Sequence, residues 1–259
     1  MPSIGNHITV LNSTDSSNNY AMEQVHAGMA EHGQVWFALE QTAGKGQRGK
    51  EWKGTVAENI LMSVVLETGK LTIGQQFRLS AAVAVAVRNF FAQHAGEHTC
   101  IKWPNDLYWN DRKAGGILIE NVIGGSASVN GRGPSVNSVW KWAIVGIGIN
   151  INQIVFPENL PNPISLYHIT EKKYEMMELV NELCACLEKQ WQLLLTGKWD
   201  EIYKEYNTHL YKLGKPVRLR KKNVVMPCTV RGVSKKGKLM IVEDETVRFG
   251  FGEVSWEIG

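Results

Sequence analysis

Between positions 43 and 50 the chain reads Ala-Gly-Lys-Gly-Gln-Arg-Gly-Lys, three glycines and three cations within eight residues. Glycine lets backbone N–H groups approach a ligand closely, and Lys45, Arg48 and Lys50 add positive charge. That is the composition of a phosphate clamp, and equally of a solvated, turn-rich loop. It is not a Walker A loop, because the Gly-Lys-Ser/Thr ending is missing, and it lacks the Rossmann spacing of glycines. A second cluster is Lys102-Trp103-Pro104-Asn105-Asp106, with Lys113 seven residues on and Ala114-Gly115-Gly116 after it. Two lysines and a carboxylate on adjoining strands can hold an anion between them; they also make an ordinary surface ion pair. A third is Gly146-Ile147-Gly148-Ile149-Asn150. Glycines inside an apolar strand cost stability unless something packs against the bare backbone, although a bulge at a corner would use them too. Asn150, at the strand end, offers hydrogen bonds to a ligand. His94 and His98 lie four apart, but no third ligand accompanies them and no zinc site is expected.

These clusters need strands and loops to carry them. Short apolar runs at 8–11, 35–39, 59–66, 99–103, 108–109, 116–122 and 139–149 predict strands. The polar run 12–19 offers helix N-caps, with Tyr20, Met22, Val25 and Met29 on the apolar side of a first helix. Residues 73–94 predict a long helix whose centre, 81–87, is apolar all round, so it belongs between other layers. The Gly, Ser and Asn of 124–138 predict a mobile hairpin connection. From Thr170, a candidate cap, Met176, Val180, Leu183, Leu187, Trp191 and Leu194 step by three and four, as in an amphipathic helix. Trp199, Ile202, Tyr203, Tyr206 and Leu210 suggest another. After Gly214 only short strands remain, at 217–219, 228–233, 239–242 and 247–249, as in a small β-barrel. The expected class is therefore α+β, a catalytic domain over 1–211 and a small β-domain over 212–259.

Composition narrows the function classes. At 259 residues the chain suits one large domain with a small appendage. Hydrophobic residues at 44% and charged residues at 20% are globular values, and a net charge of +3 is too weak for a protein that coats nucleic acid. No apolar run is long enough to span a bilayer and no secretory signal is visible, so a cytoplasmic protein is expected. The four cysteines form no paired metal cluster and read as free thiols. The Asn12-Ser13-Thr14 sequon carries no meaning without secretion.

In order and spacing, the three clusters resemble those of biotin–protein ligases. The Gly-rich loop follows Glu40-Gln41-Thr42 and precedes Trp52; the middle cluster continues as Gly116-Ile117-Leu118; and the Gly-x-Gly strand ends in Asn150. With nothing before Ile8 to form a helix-turn-helix, the chain is similar to the stand-alone class rather than the class that also represses transcription. The resemblance implies a mixed sheet with packed helices, like class II aminoacyl-tRNA synthetases, and an SH3-like C-terminal barrel. It implies ATP with Mg²⁺ bound to it, biotin as substrate, and transfer through biotinyl-5′-adenylate to a lysine of a biotin carboxyl carrier domain, of acetyl-CoA carboxylase or a related enzyme. Membrane and specific DNA would have no part, and a homodimer is compatible with it. On the same resemblance Ser16, Ser17, Asn18, Gln41, Lys45, Gly46, Gln47, Lys113, Gly115 and Gly116 would contact biotin. Lys45, Arg48, Lys50, Trp52, Asn105, Lys113 and Asn150 would border the nucleotide. Lys113, Asp106 and Lys102 would carry catalysis: Lys113 on the carboxyl oxygen and α-phosphate, Lys102 neutralising phosphate, Asp106 receiving the proton of the carrier lysine or orienting it. Two repelling anions then meet among fixed cations, with no protein nucleophile.

The loop departs from the family's commonest pattern, which has arginines where this chain has Lys45 and Gln47. Lysine keeps the charge but loses the planar two-point grip, and glutamine loses the charge, so weaker retention of the adenylate is expected. Two rival readings remain: a lipoate–protein ligase of the same scaffold, and a nucleic-acid-binding module. The second rests on ten Lys/Arg and no Asp/Glu between 212 and 238. Interleaved aromatics for base stacking are missing there, and Glu243-Asp244-Glu245 follows, so a basic face toward an acidic carrier or the nucleotide is preferred.

Overall fold

A computed structural model describes residues 1–69, 71–124, 139–242 and 246–257. Residues 125–138, within the expected hairpin connection, and Glu243-Asp244-Glu245 lie outside them. The N-terminal part is built from β1 (Ile8–Leu11), α1 (Ser17–His26), β2 (Val35–Ala38), β3 (Asn59–Glu67), α2 (Gln76–Ala95), β4 (Thr99–Lys102), β5 (Asp106–Trp109), β6 (Arg112–Gly124) and β7 (Val139–Asn150). Three helices follow, α3 (Leu166–Thr170), α4 (Met176–Leu195) and α5 (Trp199–Thr208). The seven strands form one mixed sheet in the order β1-β2-β3-β7-β6-β5-β4, parallel only between β1 and β2.

Side chains alternate across a strand, so register decides which helix each residue meets. Met62, Val64, Val145 and Ile147 join the main core with α2 and α4, whose buried faces carry Leu79, Val83, Phe90, Leu183, Leu187 and Trp191. The intervening residues point the other way. Val65 pairs with Ile144 across β3 and β7, and both pack with Trp36 and Ala21 of α1 in a smaller cluster. The sheet is thus covered on both faces, which explains why β3 reads as an unbroken apolar run, and α2 is apolar all round because α4 and α5 pack on it in addition to the sheet.

The C-terminal strands, β8 (Pro216–Lys221), β9 (Val224–Val233), β10 (Leu239–Val242), β11 (Thr246–Phe249) and β12 (Ser255–Glu257), make an antiparallel sheet in the order β11-β10-β9-β8-β12. Leu219, Val230, Leu239, Ile241 and Phe249 are buried within it. It sits against the N-terminal part through Trp103, whose indole N–H donates to Gly237 O (2.9 Å), and through the Tyr203 hydroxyl, which donates to Val233 O (2.6 Å).

Two expectations need correction. Thr170 does not cap the long amphipathic helix; it closes α3, and its hydroxyl donates back to Leu166 O (3.0 Å). Glu171 then turns left-handed (φ 58°), so the chain leaves the helix and restarts it only at Met176. Helix α1 stops at His26, leaving Met29 outside it and exposed. Among the described residues no helix is long and apolar enough to cross a membrane.

Candidate active site

On the α1 face, the register places Ser63, Gly146 and Leu118 side by side, and Leu61, Gly148 and Gly116 beside them. Three of these six positions are glycine, so the middle of the sheet is hollow where other rows carry side chains. Each glycine is needed for space. A Cβ on Gly148 would lie 2.6 Å from the indole of Trp52, one on Gly116 3.3 Å from the same ring, and one on Gly146 would run into the Asn18 amide. The cavity above this hollow is closed by the start of α1 and by the loop between β2 and β3.

Polar groups at one end are locked by hydrogen bonds. Ser63 Oγ lies 2.8 Å from Ser17 Oγ and 2.6 Å from Asn18 Oδ1, while Asn18 Nδ2 donates to Glu120 Oε2 (2.7 Å). The Ser17 backbone N–H donates to Gln41 Oε1 (2.7 Å). A buried network satisfied in this way holds its members in one orientation. At the other end Lys113 Nζ and Asp106 Oδ1 pair at 2.6 Å, both side chains partly open to solvent. The two meet because the short turn after β5 brings β6 back beside it, with a register shift between Leu107 and Tyr108. Asn105 Nδ2 donates to Ile117 O (2.7 Å), and Gln47 Nε2 to the same carbonyl (3.4 Å).

Most residues singled out from sequence therefore converge. Ser16, Ser17, Asn18, Gln41, Lys45, Gly46 and Gln47 line the cavity from the helix and loop. Trp52, Asn105, Asp106, Lys113 and Gly116 line it from the remaining sides. Five residues do not line it. Lys102 is buried behind the pair; its ammonium donates to Tyr108 OH (2.9 Å) and faces the rings of Tyr108, Tyr211 and Trp256 at 4.4, 5.8 and 5.7 Å. Burial lowers its pKa to about 8, against the opposing pull of Asp106. Asn150 is also buried and donates to Ile164 O (3.1 Å), tying β7 to the segment before α3. Gly115 alternates to the opposite face, where a Cβ would lie 2.8 Å from Gly148 O. Lys50 spends its carbonyl on the Gly46 N–H (2.6 Å), and Arg48 reaches over the Phe251 ring.

Sequence reasoning missed Ser63, Glu120 and Leu118, while the close packing it offered as one reading of Gly146 and Gly148 is what Asn18 and Trp52 provide. A lone hydroxyl inside the apolar run Asn-Ile-Leu-Met-Ser-Val-Val-Leu-Glu was the available signal for Ser63. Glu120 had none, because only the register places it opposite Asn18. Among the described residues no group of three or more His, Cys, Asp or Glu side chains is placed to hold a metal ion. The site does fit an elongated ligand with a polar end and an anionic end. It has a cradle that a Cβ would fill, a polar network at one end, a cation at the other, and a buried Trp52 indole N–H with no partner among the described residues.

Residues 10–131 match the model of the biotin/lipoate A/B protein ligase family. The chain is 30% identical over 236 residues to the biotin–[acetyl-CoA-carboxylase] ligase of Paracoccus denitrificans, covering 88% of this chain and 91% of that one. It is 27% identical over 248 residues to the bifunctional ligase/repressor BirA of Bacillus subtilis strain 168, covering 95% of this chain and 72% of that protein. In fold it is similar to the Aquifex aeolicus biotin protein ligase solved with biotin and ATP, with a TM-score of 0.79 and 22% identity over 98% of this chain and all of that one.

Proposed function

The chain belongs to the biotin/lipoate A/B protein ligase family, and from this we propose that it is a biotin–protein ligase. It joins biotin to ATP as biotinyl-5′-adenylate, releasing pyrophosphate, and passes the biotinyl group to a lysine of a carboxylase biotin carrier domain. The observation that carries this reading is the Lys113–Asp106 pair at one end of a glycine-hollowed cavity, with the Ser17–Asn18–Ser63 network at the other. In this assignment Ser16, Ser17, Asn18 and Gln41 bind the polar head of biotin. Lys45, Gly46, Gln47 and Trp52 close over the chain and the adenylate, and Asn105 supports the nucleotide side.

Lys113 takes the central part. A carboxylate attacking an α-phosphate brings two negative charges together, and a fixed ammonium between them lowers the cost most where charge accumulates, in the pentacovalent state. Recruiting Lys113 to those oxygens releases Asp106. The freed carboxylate then meets the carrier lysine, whose amine is protonated at neutral pH (pKa about 10.4) and must lose a proton before it attacks. Adenylate leaves as AMP, and no covalent enzyme adduct forms. Mg²⁺ enters bound to the triphosphate, and no side chain of the protein is assigned to it.

We place catalysis in residues 1–211 and assign 212–259 to a separate small domain that packs against it. Acetyl-CoA carboxylase is the carrier enzyme we favour, on the name of the Paracoccus relative. Neither DNA nor a membrane takes part in the reaction, and a second copy of the chain is compatible with it. Biotin-dependent exchange of radiolabelled pyrophosphate into ATP tests the reading; exchange driven by lipoate and not by biotin would refute it.

Two further outcomes follow at this site. Gly146→Ala drives a methyl group into the Asn18 amide and should raise the KM for biotin at least tenfold, with ATP affinity little changed, in the same exchange assay. Gln47→Arg restores a cation over the adenylate, and bystander proteins should then be labelled more slowly than by the wild type. Unchanged bystander labelling would show that Gln47 does not govern retention.

A further inference from the structure

Arg48 points away from the cavity, and three features of its surroundings fit a mechanical role. Its backbone is left-handed (φ 59°, ψ 39°), a conformation that a non-glycine residue adopts only when its surroundings hold it there. Its guanidinium carbon lies 5.1 Å from the centroid of Phe251, in the turn between β11 and β12. Beside that ring Gly252 has φ +81°, and a Cβ on it would fall inside the Arg48 guanidinium. The turn is itself fixed, since the Gly250 N–H donates to Glu253 Oε2 (3.0 Å) and the Glu253 N–H to Gly250 O (3.2 Å). The strand that follows it is anchored to the catalytic segment by the Trp256 indole N–H on Trp103 O (3.2 Å).

The geometry points to Arg48 as a positioning residue that pins the Gly-rich loop to the C-terminal sheet. It joins the loop to the turn at Phe251 and Gly252, so that its neighbours Lys45 and Gln47 stay over the cavity. The C-terminal sheet thereby sets how tightly the loop is held and how long an intermediate is retained. Arg48 needs no contact with substrate to act in this way. The bearing on retention rests on the ligase reading; the mechanical link does not.

A cation–π contact at an exposed site is worth about 0.5–1 kcal/mol, or roughly a two- to fivefold change in the open population of the loop. Amide hydrogen exchange over residues 44–50 in the ligand-free full chain measures that population directly. Arg48→Ala and Phe251→Ala are each expected to speed exchange two- to fivefold, the double variant no more than either alone, and Phe251→Trp to restore protection. In the presence of biotin and ATP the same three alanine variants should release labelled adenylate faster by the same factor, with KM for biotin unchanged. Unaltered exchange in Phe251→Ala, or additive effects in the double variant, would overturn the link. So would a raised KM for ATP in Arg48→Ala that Phe251→Ala does not share, since that is direct nucleotide binding. If the wild type shows no biotin-dependent pyrophosphate exchange, the ligase reading fails while amide exchange still decides the fate of the link.

Discussion

Replacing Lys113 by alanine is expected to abolish adenylate formation, with pyrophosphate exchange falling about 10²–10³-fold or more, the loss typical when one group facing developing charge is removed. The ammonium sits 2.6 Å from Asp106 at the cavity edge and 5.8 Å from the Trp52 ring, which places it at the anionic end of the cavity. Lys102 is not a substitute, because its ammonium is turned into an aromatic enclosure behind the pair. A Lys113→Arg variant should recover part of the activity, since it restores the charge but not the compact geometry. Circular dichroism must show both variants folded. A fully active Lys113→Ala protein would refute the assignment.

The second large effect separates the two half-reactions. Asp106→Asn keeps the shape of the site and frees Lys113 from its partner, so exchange of pyrophosphate should stay within a few-fold of the wild type. Transfer to a carrier domain should fall by about 10²–10⁴, the usual worth of a positioned general base. The direction with pH follows from the acceptor amine, whose pKa lies near 10.4. Raising the pH supplies more neutral amine from solution, so the variant should recover part of its deficit between pH 8 and 10. Single-turnover transfer from preformed adenylate, followed by mass spectrometry of the carrier, gives both numbers. Equal losses in the two half-reactions would assign Asp106 to activation instead.

The sequence made the chemistry of this site legible but not its directions. Residue types left Lys113, Asp106 and the Gly-rich loop open between a site and ordinary surface features, and it was their order and spacing, through the family resemblance, that grouped them. Lys102 lies only four residues from Asp106, yet its side chain leaves the cavity, since alternation along a strand and the approach of Tyr211 and Trp256 are tertiary facts. Arg48 lies over Phe251 rather than in the cavity for the same reason: charge in a loop says nothing of what the charge will face. Asn150 looked like a ligand donor at a strand end, and the amide is consumed by Ile164 O instead. Ser63 and Glu120 lay beyond sequence reasoning because only the pairing of β3, β7 and β6 brings them to Asn18. Among the elements, periodicity located the long helices and the central strands. It gave no sign of β12, whose Ser-Trp-Glu carries a single apolar residue.

The enclosure of Lys102 has a kinetic consequence. Its walls come from residues 108, 211 and 256, and the Trp256–Trp103 hydrogen bond joins positions 153 apart in the chain. Contacts of such long sequence separation carry the largest loop-closure entropy, which slows their formation relative to local helices and hairpins. The local β4–β5 hairpin, which brings Lys102 to Tyr108, can therefore form before Tyr211 and Trp256 close around the ammonium.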